Sequence, residues 1–542
     1  VPRLDLPDKV FGAACFIHDV ELEGMLHGRM LRPPSPGATL EHLDETDART
    51  VAGLVDIVRD GSLVGVLAES EPAADAALRK LSSGARWQEM SGLPDENALG
   101  AWLKEQERET SFVAGNASGM LPAAPRTIRA TYSRPYLAHA SIGPSCALAH
   151  WRDSQLHVWT HSQGIFNLRR DLMLAFPGAE IVVEHVQGAG CYGHNGADDA
   201  GFDAAWLARA AGGHPVRVQW SRADELAWAP FGPAMAVDIE ADIAADGAIV
   251  GWRHTIWSNG HTSRPGRASE PTLLGGWHLA HPFERKPSIN PPLAGGGGAD
   301  RNAIPIYAFP NWQMVNHRLL ASPLRTSSLR SLGAFANVFA IESFMEELAI
   351  AAGENPIGFR LRHLADRRAR AVIERAAIVA GWNQWVKREG TGHGIGFARY
   401  KNAGAYCAVI AEIEAQAEVR VLRLIVAVDA GRVINPDGAA HQIEGGAIQA
   451  TSWTLKEAVR FDHTRVTSDR WENYPILRFS EVPQVQVEIV PRSDCASVGV
   501  GEAAQGPTAA AIANALFDAL GVRVRDLPFT IERIRDAIRA AI

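Results

Sequence analysis

The chain has 542 residues, more than one hydrophobic core ordinarily holds, so two to four domains are expected. Its composition, 46% hydrophobic and 21% charged with a formal net charge of -8, is that of a globular protein without a basic surface, which argues against nucleic acid as a partner. No apolar run reaches about 18 residues, so no membrane span is expected. The five cysteines never fall in C-x-x-C spacing, which argues against an iron–sulfur cluster, a zinc site or a disulfide framework within this chain.

Taken in chain order, Leu26–Arg32 reads as a strand, Arg32–Gly37 as a Pro/Gly turn and Val64–Ala68 as a second strand. Glu71–Ser82 has the spacing of an amphipathic helix. Residues 1–120 are expected to form a first unit that packs and carries no chemistry, followed by a linker over Ala114–Pro125. Strands are expected at Thr127–Tyr132, Leu156–Thr160, Ile181–Val186, Val216–Trp220, Val237–Ile243 and Ile249–Trp257, with a helix over Gly164–Phe176. Ala294–Ala299, four glycines between alanines, reads as a flexible loop and not as a phosphate cradle, since no strand and helix flank it. Phe335–Ala352 reads as a helix ended by Gly353, and Pro356–Leu364 begins another. Ala405–Ile413 and Ala417–Val428 read as the strands of a hairpin, Asn435–Gly438 as a turn and Gln442–Leu455 as a helix. This mixture places the chain in the α+β class.

The densest chemistry lies in Ser497–Ala511. Gly499 and Gly501 alternate with Val498 and Val500, so the backbone could approach a bound group closely. Glu502 follows, a single carboxylate among small and apolar neighbours, the residue type and setting of a general base. Pro507 and Thr508 then open an Ala-rich helix closed by Gly521, and a glycine turn entering a helix N-terminus suits an anionic ligand. Gly188, Gly190 and Gly193 bracket Cys191 and Tyr192 in a second turn whose N–H groups could form an anion nest. No G-x-G-x-x-G follows a strand and opens a helix, which counts against a nicotinamide-dependent dehydrogenase.

As a string, Gly499-Val-Gly-Glu502 resembles the Gly-X-Gly-Glu segment of the molybdenum hydroxylases, the xanthine dehydrogenase and aldehyde oxidase family. Four further segments resemble that family in the expected order: His161-Ser-Gln-Gly164, Gly188–Gly193, Leu329–Phe335 and Gln442-Ile-Glu-Gly-Gly446. The run Gly24–Gly37 is similar to the isoquinoline 1-oxidoreductase and nicotinate dehydrogenase branch. The resemblance covers nearly the whole chain. It implies an α/β hammerhead module over 1–120, a first molybdopterin-binding domain over 121–370, and a second, incomplete one over 371–542 that carries the Glu502 loop.

The resemblance also implies roles. Glu502 becomes the base beside the metal and Arg330 a cation that stabilises developing negative charge near the substrate. Gln163, Gly190, Cys191, Tyr192, Gly193, Arg330, Arg360, Gln442, Gly499, Val500 and Gly501 become cofactor contacts, and no protein side chain is expected to ligate the metal. The implied cofactor is molybdenum-molybdopterin in its cytosine dinucleotide form, with electrons leaving through [2Fe-2S] clusters on a partner and then a cytochrome c or flavin acceptor. Where the family's purine-reading Glu stands, this chain has His194-Asn195-Gly196, with no carboxylate before Asp198; that favours an aldehyde or N-heteroaromatic substrate over xanthine. The family's Gly-Gln-Gly segment, which grips the pterin from a second side, is not found, so a partner polypeptide or an upstream part of the same product is expected to carry it. The chain begins at Val1 and not at Met, so a targeting segment would not be visible; the compartment is left open between cytoplasm and periplasm. A catalytically silent scaffold subunit is the competing reading.

Overall fold

The computed structural model describes residues 1–116 and 126–541. The chain is mixed α/β with three main sheets. The first has seven strands in the order Glu180–His185, Gln155–Thr160, Cys146–Arg152, Val216–Gln219, Leu26–Leu31, Leu63–Ala68 and Leu54–Asp60. It therefore crosses the boundary expected at residue 120: Leu26–Gly28 pairs in parallel with Val216–Val218. Gly28 allows this union, because a Cβ there would meet Leu207 Cδ1 at 2.6 Å and Val218 Cγ2 at 2.9 Å. The Glu71–Gly84 helix covers the early strands and buries Ala74, Ala77 and Leu81, the face its spacing predicts.

Arg108–Gly115 also leaves the expected first unit, lying at the edge of a five-stranded sheet with Trp312–Leu319, Ile249–Ser258, Met235–Ile243 and Arg126–Arg134. Ala114 and Gly115, expected to open a linker, are the end of that strand; the rest of that linker, from 117 to 125, lies outside the described residues.

The third sheet joins Thr391–Arg399, Tyr406–Ala415, Val419–Asp429 and Gln484–Ile489, and includes the expected hairpin. Across it lies the Gln505–Leu520 helix, and the packing follows from the residues. Gly392, Gly394 and Gly396 alternate along one face of the first strand, where Cβ atoms would stand 2.1 to 2.2 Å from the helix backbone at Ala515 and Pro507. Glycine on the strand and alanine on the helix let the two backbones nearly touch, which fixes the loop that enters the helix. The Ala334–Ala351 helix packs against that helix and is buried along almost its whole length.

That burial explains a correction. Arg360, expected at the cofactor, is fully buried, with Nε donating to Glu342 at 2.8 Å and Nη1 to Glu346 at 2.9 Å. Burial alone would lower the Arg360 pKa, but the two glutamates outweigh it and hold it above its usual value. Two carboxylates one helical turn apart inside a core need such a cation. Its neighbour Arg362 is no substitute, since it pairs with Glu354 at 2.8 Å near the surface.

Two loop expectations also change. Asn435–Gly438 is not a free turn but the start of the Pro436–Leu455 helix, with the Asn435 side chain accepting from Gly438 N–H at 3.0 Å and Pro436 in the first turn. The glycine run at Ala294–Ala299 is held in place: Gly333 N–H donates to Gly298 O at 3.1 Å, and Asn337 Nδ2 donates to Ala299 O at 2.7 Å. Among the described residues no helix is long and apolar enough to cross a membrane.

Candidate active site

One cavity of about 740 Å³ opens between the Pro436–Leu455 helix, the Gly188–Gly193 turn and the loop ending in Glu502. Its helical wall is a single face, His441, Gln442, Gly445, Ile448, Gln449 and Ser452, at the spacing a helix dictates. Gln163, Cys191, Tyr192, Gly193, Arg330, Gln442, Gly501 and Glu502 all line it, so eight residues from five sequence segments converge as expected. Gly190 stands just behind the lining, its φ of 89° turning the chain so that Cys191 and Tyr192 face inward. Gly193 is required sterically: at φ 134°, a Cβ would sit 2.0 Å from Ser328 O. Gly499 and Val500 are outside the lining; Gly499 is exposed and Val500 packs on the core.

Glu502 is not isolated among apolar neighbours as the sequence implies. Oε1 accepts the Ser331 N–H at 2.9 Å, and Oε2 accepts the Tyr400 hydroxyl. Arg301 stands 3.7 Å from Oε2 and donates to the Tyr400 oxygen at 2.6 Å. Burial, and then the Glu502 charge, push the Tyr400 phenol above its usual range, so Tyr400 is a proton-bearing donor. The carboxylate side chain remains 30% exposed, toward the cavity it lines.

Arg330 is fixed from several sides. Nε donates to Gly501 O at 2.7 Å, Nη1 to Gln449 Oε1 at 3.2 Å and Nη2 to Gln442 O at 3.1 Å. The Gln505 amide, oriented as its neighbours require, donates to Glu502 O at 3.0 Å and accepts from Arg330 Nε at 2.6 Å. The start of the Gln505–Leu520 helix is buried and carries no side-chain cap. Burial lowers the Arg330 pKa, opposed by the Glu502 charge.

Gln163 donates to Cys191 Sγ at 3.0 Å and accepts from Arg264 Nη2 at 2.6 Å. Arg264, Arg301 and Tyr400 are site residues that sequence reasoning missed. Tyr400 and Arg301 come from segments with no recognisable spacing to Glu502, and only the folded backbone brings them together.

Backbone strain marks the same place independently. Among the described residues, eight non-glycine residues have positive φ, and seven surround this site. Ala140, Tyr192 and Leu332 line the cavity and Ser331 presents the N–H to Glu502. Asn302, Lys401 and Asn402 form a brace beside Tyr400: Lys401 N–H donates to Asn302 Oδ1 at 2.8 Å and Asn302 Nδ2 donates to Arg399 O at 2.8 Å. Such conformations cost about 1–3 kcal/mol each and concentrate where geometry serves function.

The donor set fits a large anionic cofactor. Arg264 and Arg330 line the cavity, and neither pairs with a carboxylate among the described residues. Among the described residues, the acids in the lining are Glu502 and Glu457. In the His194-Asn195-Gly196 stretch, Asn195 is buried with its amide donating to Ser141 Oγ at 3.2 Å. Asp198 is buried against His194 at 2.8 Å and does not reach the cavity.

Two stretches, residues 103–278 and 346–483, match family models that are both described as a molybdopterin cofactor-binding domain. The chain is 37% identical to a subunit of nicotinate dehydrogenase from Pseudomonas putida over 99% of its own length, but spans only 46% of that protein. It is 27% identical to the beta subunit of isoquinoline 1-oxidoreductase from Brevundimonas diminuta, over 97% of this chain and 67% of the relative. Its fold matches quinoline 2-oxidoreductase from Pseudomonas putida 86 with a TM-score of 0.80 at 15% identity, covering 99% of this chain and 98% of that one. With both cofactor-binding stretches matched and the cavity between them built from the expected residues, the chain belongs to the molybdenum hydroxylase family as a molybdopterin-binding subunit.

Proposed function

We propose that this chain is the catalytic subunit of an oxidoreductase that hydroxylates an N-heteroaromatic ring or oxidises an aldehyde, with water as the oxygen source. The observation that carries this reading is Glu502, a carboxylate gripped at both oxygens yet open to a cavity that also presents Arg264 and Arg330 and one further acid, the buried Glu457. A scaffold subunit would have no use for a carboxylate so held.

The cofactor, when bound, supplies two-electron redox chemistry at molybdenum; the protein's part is binding, orientation and proton transfer. Gln163, Arg264 and the Gly188–Gly193 turn would hold its anionic groups. Glu502 accepts a proton from the attacking oxygen, and the Ser331 N–H and Tyr400 hydroxyl keep its lone pairs aimed into the cavity. Arg330, pinned by three carbonyl oxygens, places fixed positive charge beside the base without reorganising. The cytosine dinucleotide form of the cofactor, [2Fe-2S] clusters on a partner, and a cytochrome c or flavin acceptor complete the proposal. So does a second polypeptide layer bearing a Gly-Gln-Gly segment. His194-Asn195-Gly196, with no carboxylate before Asp198, supports a pyridine-type ring or an aldehyde over xanthine.

The test is cofactor extraction and metal analysis of the purified complex, followed by a screen of aldehydes, pyridine carboxylates and xanthine. Molybdenum, a pterin and turnover of one of the first two classes are expected. Efficient xanthine turnover would overturn the substrate reading.

A further inference from the structure

A second, smaller cavity of about 110 Å³ backs on to the catalytic one. Ser263 lines the small cavity and its neighbour Arg264 lines the large one, so one residue's width of backbone separates them. Its walls are mainly apolar, with Trp228, Phe231 and Trp277 among them.

Two guanidinium groups stand at this apolar space, that of Arg325 largely buried and that of Arg285 exposed to solvent. Arg285 and Arg325 each lie 5.1 Å from the Trp277 ring centre. Arg325 pairs with Asp199 at 2.7 Å and donates to Thr272 O at 3.1 Å. Arg285 has one hydrogen bond, to Pro36 O at 3.2 Å, and no carboxylate partner among the described residues. Two guanidiniums against one carboxylate leave Arg285, which is solvated, as the one without a protein counter-ion among the described residues. Partial burial, and then the like charge of Arg325, lower the Arg285 pKa.

Three buried donors are also unused: Arg325 Nε, on a side chain only 10% exposed, Trp277 Nε1 and Ser263 Oγ. A buried donor without a partner costs about 1–3 kcal/mol, and here three belong to residues lining one pocket beside an unbalanced cation. The third cation of the lining, Lys286, is already paired with Glu284.

We propose that this pocket is a second binding site, for a small organic monocarboxylate with an apolar or aromatic body. One negative charge balances the excess guanidinium, the carboxylate oxygens accept from Arg285, Arg325 Nε and the Trp277 indole N–H, and the body lies against the aromatic walls. The site stands apart from the redox reading, since none of the residues invoked lines the catalytic cavity.

The test is titration of benzoate into the purified complex, followed by calorimetry, with benzyl alcohol as the neutral control. Saturable binding of one benzoate per chain is expected, undiminished in Glu502→Gln, weakened roughly tenfold or more by Arg285→Gln, and absent for benzyl alcohol. Trp277→Phe, which keeps the ring and removes the indole N–H, should also weaken it, and decides the matter if Arg285→Gln does not fold. No saturable binding, equal binding of benzyl alcohol, or an affinity that Trp277→Phe and Arg285→Gln leave unchanged would overturn the proposal.

Discussion

Glu502 works as a base only if its free lone pairs stay pointed at the cavity, and two donors from distant segments achieve this. Glu502→Gln keeps the volume and can still accept from Ser331 N–H, so fold and molybdenum content should persist while turnover falls roughly 10²-fold or more. Near-normal turnover at equal metal loading would remove Glu502 from the mechanism. Tyr400→Phe removes only the donor to Oε2, and a smaller loss, roughly tenfold, is expected in the steady-state rate. A second carboxylate of the cavity reports on stability. Burial pushes the Glu457 carboxyl up from 4.5 to about 7, against the Ser452 and Tyr474 hydroxyls. The folded protein then keeps a proton that the unfolded chain has already released, so stability falls as pH rises from about 4.5 to about 7 and is level above. The drop amounts to ~3 kcal/mol. Denaturation midpoints at pH 5 and pH 8 should show this slope, and Glu457→Gln should flatten it; a slope that survives the substitution would assign it elsewhere.

Among the elements, the seam between the Thr391–Arg399 strand and the Gln505–Leu520 helix positions the Glu502 loop. Gly394→Ala would place a Cβ 2.2 Å from Ala515 N, in backbone that cannot yield cheaply. About 1–3 kcal/mol of destabilisation is expected, seen as a lowered Tm, with activity lost as the loop shifts. Gly358→Ala, in a helix with open space around it, should be neutral or slightly stabilising. Periodicity made most strands and helices legible, because alternation and helical spacing report which face is buried. It misread Asn435–Gly438, since Asn-Pro opens a helix as readily as a turn. Motif matching found the Gln163, Cys191–Gly193, Gln442 and Glu502 segments, which are local in sequence. It could not tell Arg360 from a cofactor contact, because its partners Glu342 and Glu346 lie in another helix. Arg301 and Tyr400 were invisible for the same reason: their relation to Glu502 exists only in three dimensions.

At the scale of the whole molecule, the chain builds one cavity from residues as far apart as Gln163 and Glu502. Arg264 and Arg330 line it, and none of the chain's five cysteines is placed in a cluster motif. The relative with 37% identity is about twice as long, which fits the proposal that further polypeptide completes the enclosure. Residues 1–542 expressed alone should therefore bind molybdenum poorly, and an active, stoichiometrically loaded isolated chain would refute the need for a second layer. The most direct measurement for the account as a whole is molybdenum and pterin content per chain in the purified, catalytically competent complex. About one of each is expected; a fully active complex containing neither would contradict the account.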